Sequence, residues 1–235
     1  MLSGLITPIN VRAFLSIYLE PISFLLYFGA FFFYSWRLVR KFHYRLLCSY
    51  YFVASVMMIK AVRLADNTQL YNLMYVLTSL SLGYYFYSLL QTRLKRAIAI
   101  VCGLTPLLYY LSKNTIFESE LLFDSIGHAI SSSGIVIMIF LYLHYVITNV
   151  KEEPLSHNFD FWFVCVQLFY HLGAFAIFLS YNYFTRKFLS VQFYSDENRS
   201  ILTYLWVVHN VLLFLGALTT AYAILWIYRR KSPSS

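Results

Sequence analysis

The sequence predicts an all-α, polytopic membrane helical bundle of seven transmembrane helices, amino terminus outside and carboxyl terminus inside. Three observations predict it. The 235 residues are 60% hydrophobic and only 12% charged, whereas a soluble domain carries about 25% charged residues. The apolar residues fall in long runs, most of them near the roughly 20 residues that cross a ~30 Å hydrocarbon layer. The Lys and Arg residues fall in the short links between those runs, where they set the orientation of a membrane protein. The net charge of +8 is therefore read as a topology signal, and no nucleic-acid partner is expected.

The first span covers residues 14–36 and is followed by Arg37, Arg40, Lys41 and Arg45. Pro21 lies inside it, where a missing N–H and a ring clash kink a helix or mark the turn from an interfacial lead-in. Residues 46–62 and 70–90 form the second and third spans, the latter closed by Arg93, Lys95 and Arg96. The fourth, 97–111, is short and contains Pro106. Spans five and six, 121–147 and 159–184, form a hairpin joined by a charged link with Lys151, Glu152, Glu153 and Pro154. The seventh covers 201–228 and ends in Arg229, Arg230 and Lys231. So little chain remains outside the spans that residues 1–235 read as one integral membrane domain. Met1–Arg12 lacks a basic region leading into an apolar run with a small-residue cleavage site, so the first span is expected to be retained.

Orientation follows from alternate links. With the amino terminus outside, eleven Lys and Arg lie in inner links and seven in outer ones. That excess inside is the positive-inside pattern. Trp36, Trp162 and Trp226 fall at the inner boundaries, where indole rings favour the interface.

Ionisable groups inside a bilayer are costly and face the bundle interior or a cavity. At ~1.5 Å per residue, His128 lies about 12 Å below the outer end of its span, and His209 at a similar depth. His171 comes close to the midplane, and Glu20 lies in the outer part of span one. Four such groups on four helices predict a small polar pocket in the outer half, with Asn210 beside it. Asn72, Asn182 and Asn210 have the character of interhelical hydrogen-bonding groups. Ser125, Gly127, Ser131, Ser133 and Gly134 punctuate span five, and small residues let helix backbones approach closely in lipid.

A metal or haem site on His128, His171 and His209 is a weaker alternative, because no two of them stand four apart on one helix as metal-binding pairs do. No cofactor is expected on this reading, with zinc or haem as the alternative. The three cysteines, Cys48, Cys102 and Cys165, form no C-x-x-C pair, so neither a disulfide framework nor a thiolate zinc site is indicated. A retinal pigment needs a lysine in the last span, and none is there. Seven-helix zinc hydrolases of the alkaline-ceramidase and progestin-receptor-like superfamily combine a serine, an aspartate and an H-x-x-x-H. Ser55 and Asp66 are similar to the first two, but Leu213 stands four residues after His209.

The stretch 142–178, YLHYVITNVKEEPLSHNFDFWFVCVQLFYHLGAFAIF, carries an acidic, Pro-containing link that runs into Phe161, Trp162, Phe163 and then Tyr170. It resembles a group of bacterial integral membrane proteins of this length, often encoded beside two-component histidine kinases. That resemblance implies a bacterial inner-membrane protein with a sensory or signalling accessory role, and a histidine kinase or another membrane protein as partner. The expected function is therefore non-enzymatic. Alternatives are a membrane-embedded metal-dependent lipid hydrolase and a structural subunit of a membrane complex.

Overall fold

The computed structural model describes residues 8–64, 67–116, 123–149, 154–190 and 196–231. Asp66, Ser119, Leu121 and the link residues Lys151, Glu152 and Glu153 lie outside the described residues. Eight α-helices follow in order: α1 (Pro8–Ile17), α2 (Leu19–Phe33), α3 (Phe42–Ala61), α4 (Thr68–Leu89), α5 (Arg93–Ile116), α6 (Ser125–Thr148), α7 (Phe159–Ser190) and α8 (Asp196–Lys231). A π turn, Tyr34–Leu38, closes α2, and a short 3-10 turn, Leu155–His157, precedes α7. Among the described residues there is no strand.

Among the described residues, four helices are long and apolar enough to cross a membrane: Arg93–Lys113, Ser125–Thr148, Phe159–Thr185 and Ser200–Arg230. Helices α2, α3, α4, α6, α7 and α8 close a ring in which each packs on the next and α8 returns to α2. Helix α5 lies outside that ring, against α4 and α6.

Two prolines shape these helices differently. The expected first span is divided at Tyr18, into α1 and α2. Pro21 has no N–H to give the Ile17 carbonyl and its ring crowds that carbonyl, so the chain turns there with Tyr18 at φ −101°, ψ −22°. Pro106 breaks nothing: α5 runs 24 residues through it, longer at both ends than the expected 97–111. The carbonyl it frees belongs to Cys102, and α6 comes up against that carbonyl at Gly134, where a Cβ would lie 3.2 Å from it.

The ends are secured by local chemistry. Asp124 caps α6 by accepting from the Gly127 N–H at 3.0 Å, the standard remedy for the orphan donors of a first turn. The Thr92 hydroxyl accepts from the Lys95 N–H at 3.3 Å as α5 begins. The Arg96 side chain donates to the Leu90 carbonyl at 2.7 Å, where α4 ends.

The core is aromatic. Tyr27 stacks on Tyr51 with centroids 4.6 Å apart, and Phe31 meets Phe163 edge-on at 5.1 Å. Small residues set the helix spacing. Gly83 of α4 faces Gly103 of α5 so closely that a Cβ would stand 3.0 Å from the Gly103 Cα. A Cβ on Gly127 would fall 2.4 Å from the Tyr75 ring. Ser131 donates to the Tyr75 carbonyl at 3.2 Å and accepts from Ser79 at 2.6 Å. Ser125 is buried at the start of α6, whereas Ser133 bonds its own helix at the Ile130 carbonyl, 2.8 Å away.

Gly127→Ala therefore puts a methyl into space the Tyr75 ring holds, and overpacking of this kind costs roughly 1–3 kcal/mol. Thermal unfolding of the purified protein should show the loss. Gly29→Ala, whose Cβ meets nothing within 4 Å, should leave the transition in place or raise it slightly.

Candidate functional site

The four ionisable groups singled out in the sequence come together. Glu20 from α2, His128 from α6, His171 from α7 and His209 from α8 line one enclosed space of about 40 Å³ between the helices. Glu20, His171 and His209 are buried, at 6%, 3% and 4% exposure. That volume suits two or three waters at ~10–15 Å³ of occupied space each, far below the ~300–1,000 Å³ of an organic-ligand pocket.

Local structure explains each position. Glu20 sits in the first turn of α2, just after the break, where unpaired backbone N–H groups favour a carboxylate. It accepts a hydrogen bond from the Tyr71 hydroxyl of α4 at 3.1 Å. The three imidazoles are spaced by aromatic rings. Phe178 lies between two of them, 4.6 Å from the His128 centroid and 5.0 Å from that of His209. His171 packs against Tyr170 at 4.7 Å. His128 Nε2, both ring nitrogens of His171 and His209 Nδ1 are buried without a hydrogen-bond partner. Among the described residues, no group of three or more His, Cys, Asp or Glu side chains is arranged to hold a metal ion.

Asn210 has a separate position. Its side-chain amide donates to the Leu15 and Ser16 carbonyls at 3.1 and 3.2 Å, and it is fully buried. These carbonyls end α1 beside the Pro21 break, so Asn210 ties α8 to the broken turn. It is not among the residues lining the cavity.

Two further acids organise the bundle and carry no periodic signature in the sequence. Asp124 accepts from the Tyr75 hydroxyl at 3.1 Å and pairs with Lys113 at 3.3 Å, linking α4, α5 and α6. Its backbone N–H donates to the Asn72 side chain at 2.8 Å. At the other end, Asp160 accepts from Tyr44 at 2.8 Å and from Tyr85 at 2.7 Å on the same oxygen, joining α3 and α4 to α7. The residue pattern that finds such acids is a carboxylate at the edge of an apolar run, in a chain with 22 tyrosines.

Above the small cavity lies a larger one of about 410 Å³, bounded by the end of α1, the end of α3, the start of α4, Phe123, α7 and α8. Tyr71 and Trp206 line both spaces. With Phe123 they form a cluster of edge-on rings. The centroid separations are 5.1 Å for Tyr71–Trp206, 5.5 Å for Phe123–Trp206 and 6.4 Å for Tyr71–Phe123. Each ring also touches the layer below: Tyr71 at Glu20, Phe123 at His128 with 5.0 Å between centroids, and Trp206 at His209 with 5.4 Å.

Asn210→Leu removes the donor and leaves two carbonyls at the α1–α2 break without it. The expected loss is about 1–3 kcal/mol, read as a lower midpoint of thermal unfolding in detergent. Comparison with known protein families, with curated proteins and with solved structures finds no match.

Proposed function

We infer that the chain is a non-enzymatic integral membrane protein that works as a sensory or signalling accessory component in a bacterial inner membrane. The observation that carries this reading is the convergence of Glu20, His128, His171 and His209, from four helices, on one enclosed polar cavity. Ionisable groups held together inside an apolar bundle are costly and are typical of functional positions in membrane proteins. A change in the hydration or charge of this layer alters the packing of four helices at once, which is the differential interaction a two-state element needs.

In this reading seven spans cross the membrane. Besides the four apolar helices, Leu19–Leu38, α3 and α4 hold 20 to 22 residues each and reach roughly 30 Å at 1.5 Å per residue. Helix α2 is apolar but only 15 residues long before its π turn, and the lower hydropathy of α3 and α4 comes largely from tyrosine and serine side chains, several of which turn inward. Tyr50 bonds Thr78 at 2.7 Å, and Tyr44 and Tyr85 bond Asp160. The cationic links support an amino terminus outside. Arg230 lies over the Trp226 ring at 4.4 Å and meets His157, which sets the α6–α7 link and the end of α8 at one face. The resemblance of 142–178 to kinase-linked membrane proteins favours a histidine kinase as the partner at that face, and another membrane protein is the alternative.

Orientation is tested by cysteine substitution. In intact cells a membrane-impermeant maleimide should label Ser119→Cys and spare Ser156→Cys, and the reverse pattern would invert the topology.

The role itself is tested in the native host with a transcriptional reporter for the histidine kinase pathway proposed as its partner. Glu20→Gln and His209→Phe should each shift its output about fivefold or more, the lower range of ordinary allosteric coupling. An unchanged output in both, with the proteins present in the membrane, sinks the signalling role. Metal analysis of the same purified protein should find less than one equivalent of zinc or haem. A full equivalent would favour the lipid-hydrolase reading.

A further inference from the structure

The 410 Å³ vestibule above the polar layer falls in the ordinary size range of small-molecule sites, and its wall chemistry narrows what it can hold. Four rings line it, Tyr71, Phe123, Tyr181 and Trp206, together with aliphatic side chains such as Ile17 and Leu64. Among the described residues that line it there is no Lys, Arg, Asp or Glu, so an ionic ligand gains no counter-charge from them while losing its hydration. The polar lining is more specific. The Ser16 hydroxyl donates to the Ala13 carbonyl at 3.1 Å, and the Asn67 amide donates to the Ala61 carbonyl at 3.1 Å. What remains on these two side chains is the hydroxyl lone pairs of Ser16 and, on Asn67, the carbonyl oxygen and a second N–H, so a hydroxyl ligand finds acceptors for its proton and a donor for its oxygen. The Tyr71 hydroxyl is directed to Glu20.

We propose that this vestibule is a binding site for a small, uncharged aromatic molecule that carries an O–H or N–H donor, of the phenol or indole class. The ring of such a ligand finds edge and face partners among the four aromatic side chains, the two arrangements aromatic pairs prefer. Its donor meets the acceptors of Ser16 and Asn67. The occupant rests on Tyr71, Phe123 and Trp206, the three rings that touch Glu20, His128 and His209. The signalling role rests on the layer below, and this site would supply its stimulus.

The test uses the full-length protein in detergent with Trp36, Trp162 and Trp226 changed to Phe, so that Trp206 is the sole indole. Excited at its red edge, Trp206 should respond saturably to phenol. Anisole has the ring without the donor, cyclohexanol the donor without the ring, and benzoate a charge. Each should bind at least tenfold more weakly than phenol. Ile17→Trp and Leu64→Trp fill the vestibule from two sides at exposed positions. In the same background, isothermal titration calorimetry with phenol should show at least a tenfold loss of binding for both, with thermal unfolding confirming that each is folded. Equal responses to phenol, anisole and cyclohexanol would mean partition into the micelle and overturn the site. So would unchanged phenol binding in the two filled variants. Because binding is read on the purified protein alone, a chain that binds phenol yet is silent in the kinase reporter keeps the site and loses the signalling role.

Discussion

A carboxylate in an apolar bundle must find its donors within the protein, and here tyrosine supplies them. Three acids are met this way at three places: Asp124 by Tyr75, Glu20 by Tyr71, and Asp160 by Tyr44 and Tyr85. Each pairing joins different helices, and α4 takes part in all of them. Tyrosine suits the task because one side chain provides both a large apolar ring and a single directional donor. The 22 tyrosines are thus more than bulk. Their rings fill the core and, at these positions, their hydroxyls fix which helix faces which.

The same constraint explains the end of the bundle where α1 meets α2. Pro21 withdraws one backbone donor, the chain turns at Tyr18, and the carbonyls at the end of α1 need a substitute. Asn210 provides it from α8. The turn also brings Ser16 and Ile17 to the wall of the vestibule and starts a new helix whose first turn holds Glu20. One proline therefore positions a carboxylate, a wall of the larger cavity and a cross-tie, all within six residues of the chain.

Much of this arrangement was legible in the sequence. Long apolar runs gave the helices, Pro21 gave the break, and counting residues along helices placed Glu20, His128, His171 and His209 at neighbouring depths. Depth is a one-dimensional quantity, so it is readable from sequence when helices cross a layer of fixed thickness. Rotation about each helix axis is not, and here rotation separates Asn210 from the cavity although it adjoins His209 in the chain. Asp124 and Asp160 escaped because an acid at the edge of an apolar run looks like a solvated link residue. Their tyrosine partners lie 49 to 116 residues away, a pairing with no local signal. Pro106 left the fourth span short in the sequence, yet α5 runs through it, because a proline removes one hydrogen bond from a helix and packing on α4 and α6 holds the rest.

The geometry also separates two tasks that a single pocket would have to combine. The histidine layer surrounds a space for a few waters. The vestibule has room for an organic molecule and, among the described residues that line it, no charged side chain. Rings shared by both spaces form the boundary, and they are packed edge-on, an arrangement that shifts as a unit because close-packed side chains transmit displacement. Helices α7 and α8 extend this link toward the opposite end. Tyr181 and Trp206 line the vestibule, His171 and His209 the polar cavity, and Trp162, Trp226 and Arg230 a cleft of about 260 Å³. Gly216 holds α8 close to Tyr27 and Val166 between these levels. Each of these two helices therefore runs as continuous backbone from the ring cluster to the cleft at the other end of the bundle.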